Sequence, residues 1–144
     1  MSKSEKALKS FNEAFNCSQA VLSSFSEDFN MDEKTSIKIA SAFGGGIARN
    51  GETCGAVTGA LMAIGLKHFN TDLLPDEAKM HVYSLSNRFM QEFKTRNGSV
   101  KCKELLGVDL STDDGRKKMR EENLSQKVCE KLVCDSAEIL EKFL

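Results

Sequence analysis

The chain has 144 residues, with 20 basic and 21 acidic side chains and a formal net charge of −1. This length suits one domain, 1–144, with its own hydrophobic core, and the balanced charge gives no support to nucleic-acid binding. The longest uncharged apolar stretch, 54–66, is too short to span a bilayer, and the N-terminus lacks the apolar stretch of a signal peptide. We therefore expect a soluble, cytoplasmic protein without a membrane span.

Apolar residues recur at helical spacing along almost the whole chain, and no stretch alternates with the period of two that is typical of strands. The sequence therefore predicts an all-α protein, a compact single-domain bundle of about six to eight helices, several of them short. Capping residues and helix breakers set the boundaries. The predicted helices cover 4–15, 17–25, 33–43, 54–68, 75–96, 100–106, 113–122 and 126–144.

Several of these helices begin at a side chain suited to capping. Asn16, followed by Gln19 three residues later, predicts a capping box at the second helix. Three further helices are each predicted to have a hydroxyl cap, at Thr53, Ser99 and Ser125. The acidic and basic side chains that alternate in 113–122 are interpreted as a solvated helix face.

The chain has five cysteines, and in a reducing compartment such residues are core packing, metal ligands or redox thiols more often than static disulfides. Four of them fall in or at the end of the first turn of a predicted helix: Cys17, Cys54, Cys102 and Cys129. The positive end of a helix dipole favours the thiolate, which attacks disulfides and binds metals. These four also share a helix face with apolar residues, so they could converge on one pocket. Cys134, in mid-helix, is expected to be core packing.

Two groups of glycines flank Cys54. Gly55 and Gly59 predict the close approach of another helix, because glycine inside a helix is otherwise destabilising. Gly44–Gly46 are predicted to end the third helix, and the backbone amides of Gly45 and Gly46 could also bind an anion or a cofactor. Gly45, Gly46, Gly55 and Gly59 are therefore the candidate cofactor-binding residues, although neither a P-loop nor a dinucleotide fingerprint is present.

Four ordered motifs carry a family resemblance: NCSQAVL at 16–22, TCGAVTGA at 53–60, CKELLG at 102–107 and CEKLV…AEIL from 129. Together they resemble the C_GCAxxG_C_C family of small redox-active proteins over almost the whole chain. The resemblance implies a compact helical protein whose four family cysteines correspond to Cys17, Cys54, Cys102 and Cys129, with Cys134 outside the pattern. It implies a redox role but brings no substrate or redox partner with it.

Three hypotheses about function stay open. In the first, the four cysteines cycle between dithiol and disulfide across helices, with Cys54 as the attacking thiolate and the pairing undetermined. In the second, the four thiolates bind an iron–sulfur cluster or zinc. In the third, the cysteines fill the core of a non-catalytic helical interaction module. The redox partner is unidentified, and the small-residue helix packs either inside one chain or in a homodimer.

Overall fold

The computed structural model describes all 144 residues and contains no β-strand. Its α-helices are α1 (Lys3–Asn12), α2 (Cys17–Ser24), α3 (Glu33–Ile39), α4 (Gly55–His68), α5 (Pro75–Asn97), α6 (Cys102–Leu106), α7 (Asp113–Glu121) and α8 (Glu130–Glu141). Two short 3-10 helices lie at Ser26–Phe29 and Ser41–Phe43, and one π-helical turn at Ser125–Cys129. The prediction of an all-α protein is confirmed. None of the helices has both the length and the apolar character that crossing a membrane requires.

The capping box at the start of α2 is present as predicted. The Asn16 side chain accepts a hydrogen bond from the Gln19 N–H at 2.9 Å, and the Gln19 side chain accepts one from the Asn16 N–H at 2.9 Å. Pro75 is the first residue of α5, and Gly98 ends this helix in the left-handed conformation. These boundaries follow from local chemistry that the sequence displays directly.

Two of the predicted hydroxyl caps are wrong because the chain is extended where a helix was expected to begin. Cys54, not Thr53, is the residue that precedes α4, since Thr53 forms an isolated antiparallel bridge with Lys101. Ser99 accepts a hydrogen bond from the Lys101 N–H at 3.0 Å, which forms a turn, and α6 begins only at Cys102.

The predicted cap of the last helix is also wrong. Ser125 makes no capping hydrogen bond and instead begins the π-helical turn Ser125–Cys129, which runs directly into α8. Cys129 therefore lies within a continuous helical segment and not in the first turn of a capped helix.

The segment between α3 and α4 differs from the prediction as well. Helix α3 ends at Ile39, so Gly44–Gly46 do not terminate it. Instead, residues 45–49 all have positive φ angles of 63, 70, 65, 50 and 65°. We call 44–49 the left-handed loop. Its conformation is unusual because Ile47, Ala48 and Arg49 are not glycines, and a β-branched residue is rarely found there.

The core is organised around the contact between α2 and α4. A Cβ added at Gly59 would lie 2.6 Å from the carbonyl oxygen of Ser18, so the backbones of the two helices touch at this point. On another side of α4, the Ser136 hydroxyl of α8 donates a hydrogen bond to the Ala56 carbonyl oxygen at 2.6 Å. The predicted close approach at Gly59 is thereby confirmed and occurs inside one chain.

A matched pair of glycine substitutions in α4 tests this contact. Gly59→Ala is expected to lower the free energy of unfolding by about 1–3 kcal/mol, because α2 must move to accept the methyl group. Gly65→Ala is the control: nothing lies within 4 Å of the added Cβ, and the gain in helix propensity should raise stability by up to about 1 kcal/mol. Urea unfolding followed by circular dichroism measures both values. Equal effects would contradict the proposed packing.

Candidate functional site

Four cysteines that are far apart in sequence line a single cavity of about 590 Å³. They are Cys17, Cys54, Cys102 and Cys129, and we call this space the thiol cavity. Its volume lies within the range of about 300–1,000 Å³ that is usual for small-molecule sites. Cys134 does not line it. The structure thus brings together the four cysteines that the sequence singled out and leaves out the fifth.

The capping box holds Cys17 at the edge of the cavity. Besides capping α2, the Asn16 amide donates a hydrogen bond to the carbonyl oxygen of Ser41 at 3.1 Å, which fixes the start of α2 to the segment before α4. A Cβ at Gly55 would lie 3.1 Å from the Cβ of Cys17 and 2.9 Å from the Ser18 nitrogen. Glycine at this position therefore allows the first residues of α2 and α4 to meet.

A short antiparallel pairing places Cys54 and Cys102 on the cavity. The Cys54 N–H donates to the Val100 carbonyl oxygen at 2.8 Å, and the Cys102 N–H donates to the Glu52 carbonyl oxygen at 2.7 Å. These two bonds flank the bridge between Thr53 and Lys101. The bridge joins the starts of α4 and α6, so two cysteines 48 positions apart are positioned by one pair of backbone hydrogen bonds.

The remaining cysteine comes from the C-terminal part of the chain. Cys129 ends the π-helical turn and packs in a small apolar cluster with Cys102, Leu106 and Leu110. Cys54, Cys102 and Cys129 are 3, 7 and 6% exposed, whereas Cys17 is half-buried. Three of the four cavity cysteines are therefore buried, and Cys17 is the more exposed one.

Cys17 and Cys129 affect each other's pKa. A hydrogen bond between the two thiols lowers the pKa of Cys129 and, together with burial, raises the pKa of Cys17 well above its ordinary value. The two shifts favour a thiolate at Cys129 and a protonated thiol at Cys17. Cys129 is thus the sulfur of the cavity with the greatest tendency to ionise.

The other two thiols respond mainly to burial, which raises the pKa of Cys54 to about 12 and the pKa of Cys102 to about 12. Negative charge on the neighbouring Cys129 raises the pKa of both further. The backbone amides of Ala56 and Val57 at the start of α4 act in the opposite direction on the pKa of Cys54, but the loss of hydration outweighs them. The start of α4 thus lowers the pKa of Cys54, as expected of a helix N-terminus, but by less than burial raises it.

Arginines are the charged residues that line the thiol cavity. Arg49, Arg116 and Arg120 line it, and no Asp or Glu does. Sequence reasoning did not single out Arg116 and Arg120, because they alternate with carboxylates along α7. The sequence signal is that Arg116 and Arg120 share one face of α7 with the apolar Met119. This face is the one that lines the cavity.

The candidate cofactor-binding glycines divide into two groups. Gly45, Gly46 and Gly55 line the thiol cavity, whereas Gly59 does not, since Ser18 of α2 occupies the space next to it. A Cβ at Gly46 would lie 2.6 Å from the Cβ of Cys102, so this glycine lets the left-handed loop lie directly on α6. Gly59 is therefore a packing residue and not a cofactor-binding one.

No group of three or more His, Cys, Asp or Glu side chains is arranged to hold a metal ion. The four cysteines share the cavity but do not form such a group, although Cys is the ligand that zinc and iron–sulfur sites use. Four thiols would suit zinc or an iron–sulfur cluster chemically, but their arrangement in this structure offers no preformed site for either one.

A family model described as "Putative redox-active protein (C_GCAxxG_C_C)" matches residues 15–143. The chain belongs to this family. The C_GCAxxG_C_C match includes every residue of the thiol cavity except Phe11, and the family description supports a redox role. No curated protein and no solved structure gave a significant match.

The interaction between the two side chains predicts how Cys17 affects the ionisation of Cys129. Cys17→Ala removes the hydrogen-bond donor, so the pKa of Cys129 should rise and its alkylation by iodoacetamide should require higher pH. Peptide mass spectrometry of Cys129 over a pH series measures this profile. Cys134→Ala, outside the cavity, is the control and should leave the profile unchanged. Superimposable profiles for Cys17→Ala and the unmodified protein would contradict an effect of Cys17 on the pKa of Cys129.

Burial of Cys54 and Cys102 predicts a loss of stability at alkaline pH under reducing conditions. Between the pKa of an unfolded thiol, about 8.5, and the raised pKa of about 12, these thiols ionise in the unfolded chain but stay protonated in the folded one. The folded state then binds more protons, so the free energy of unfolding falls as pH rises. Urea unfolding across this window should show a shallower fall for Cys54→Ala than for Cys134→Ala. Identical slopes would count against the prediction.

Proposed function

We propose that this protein carries out thiol–disulfide exchange on small molecules, with Cys17 and Cys129 as the reacting pair. The observation that carries the proposal is that both cysteines line one cavity of small-molecule size, where their interaction lowers the pKa of Cys129 and raises that of Cys17. A disulfide between them forms when the two sulfur atoms approach to about 2.05 Å.

The exchange occurs in two steps that conserve atoms and electrons. First, the Cys129 thiolate attacks one sulfur of a substrate disulfide, forms a mixed disulfide and releases the other half as a thiolate, which takes up a proton. Then Cys17 loses its proton, attacks the Cys129 sulfur and releases the second half as a thiol. The substrate disulfide is reduced by two electrons, and Cys17 and Cys129 are oxidised to a disulfide. A dithiol reductant reverses the oxidation.

This assignment differs from the expectation that Cys54 attacks first. Burial keeps Cys54 and Cys102 protonated at neutral pH, since the pKa of each is about 12. Negative charge on either one raises the pKa of Cys17, so both lie near the reacting pair. We assign them to a second exchange, in which one of these thiols attacks the Cys17–Cys129 disulfide and the bond moves within the cavity without a further change in oxidation state.

The experiment combines metal analysis with thiol counting on protein purified without oxygen. The protein is treated with 2-hydroxyethyl disulfide, a neutral small disulfide, and then with dithiothreitol. Two thiols should disappear in the first treatment and return in the second, and peptide mapping should link Cys17 to Cys129. Stoichiometric iron or zinc that protects all four thiols would favour metal binding instead. Thiols that stay unreactive in metal-free protein would favour the non-catalytic module.

Cysteine variants separate the two steps of the exchange. Cys17→Ser should stop at a mixed disulfide on Cys129, visible as a mass increase, because the resolving thiol is absent. Cys129→Ser should form neither product at neutral pH. Cys134→Ser is the matched control and should behave as the unmodified protein does. A normal cycle in Cys129→Ser would show that the assignment of the attacking thiol is wrong.

A further inference from the structure

The charge of the thiol cavity differs from that of the protein as a whole. The chain has a formal net charge of −1, yet three arginines and no carboxylate line the cavity. Charges of one sign within a cleft concentrate ligands of the opposite sign, because the low-dielectric walls focus the field. The lining is therefore suited to an anion.

Two of the three arginines have no acidic partner. Arg116 pairs with Asp113 and donates a hydrogen bond to the carbonyl oxygen of Leu110 at 2.8 Å, so its charge is largely offset. Arg49 and Arg120 make no ion pair with any carboxylate. Both are exposed residues of the lining and thus mark its mouth, one on the left-handed loop and the other on α7.

The left-handed loop adds hydrogen-bond donors to this positive charge. The N–H groups of its first four residues, 44–47, donate no hydrogen bond within the chain, although the loop closes through bonds from the later Ala48 and Arg49 amides. Gly44, Gly45 and Gly46 line the cavity. Successive free amides of this kind form concave sites that bind anions. The amides and the unpaired arginines are two independent features that favour the same class of ligand.

We propose that the thiol cavity binds a small anionic disulfide, with its charged groups held by Arg49, Arg120 and the free amides of the left-handed loop. This inference rests on the proposed thiol–disulfide exchange and specifies its substrate. Apolar side chains below the arginines, including Leu106, Leu110 and Met119, supply a surface for the hydrocarbon part of such a molecule. The anionic groups lie at the mouth, and the disulfide bond lies beside Cys129.

Three small disulfides that differ in charge test the inference. They are 3,3′-dithiodipropionate, which is anionic, 2-hydroxyethyl disulfide, which is neutral, and cystamine, which is cationic. Each rate constant for oxidation of the protein is divided by the rate constant of the same disulfide with dithiothreitol, which removes intrinsic reactivity. The anionic compound should exceed the cationic one by about tenfold or more, and sodium chloride should reduce the difference.

Charge variants locate the source of the preference. Arg49→Gln combined with Arg120→Gln should lower the ratio of the normalised rate constant of the anionic disulfide to that of the neutral one. Lys117→Gln is the matched control, because it removes one positive charge from α7 at a position that does not line the cavity. A preference that survives the double substitution would overturn the inference.

A binding measurement without exchange distinguishes failure of this inference from failure of the proposed function. 3,3′-Thiodipropionate carries the same carboxylates but has no disulfide bond. It should shift the amide NMR signals of residues 44–47 in the unmodified protein and not in the double arginine variant. Such shifts without reaction of any disulfide would reject exchange and retain the anion site. Equal normalised rate constants without shifts would reject the anion site and retain exchange.

Discussion

The direct contact between the backbones of α2 and α4 is the constraint on which the rest of the structure depends. Gly59 lies against the carbonyl oxygen of Ser18, and Gly55 lies against the first turn of α2. Any side chain at either position would separate the two helices. The contact keeps Cys17 beside the start of α4, and α8 then packs on both helices and brings Cys129 to the same place. The cost of glycine within a helix, up to about 1 kcal/mol each, is offset by this packing.

The sequence predicted those parts of the fold that depend on local chemistry. The capping box of α2, Pro75 at the start of α5 and the all-α class all follow from side chains within a few residues of the feature concerned. The bridge between Thr53 and Lys101 could not be predicted in this way, because its two halves are 48 residues apart. Local capping chemistry predicted helix starts at Thr53 and Ser99, whereas backbone hydrogen bonds between the two segments keep the chain extended there.

The candidate site was predictable to the same degree. Cys17, Cys54 and Cys102 were predicted as site residues because they lie near helix starts. Cys129 was predicted for the same reason, although the cap expected at Ser125 is absent. Their relative ionisation could not be predicted, because it depends on burial and on a thiol–thiol contact between distant segments. The conformation of the left-handed loop could not be predicted from the sequence, because Ile47–Arg49 have no propensity for positive φ. The surrounding packing determines it.

The separation of the four cavity cysteines along the chain has a consequence for biosynthesis. Before folding, loop-closure entropy favours disulfides between neighbours, and the cysteine nearest to Cys129 is Cys134, five residues away on α8. The folded helix keeps this pair apart, since residues five positions apart do not share a helix face. In the unfolded chain, loop closure therefore favours the pair Cys129–Cys134 over any pair of cavity cysteines. Formation of α8 reverses this preference, because it separates Cys134 from Cys129 while the fold gathers the four cavity cysteines.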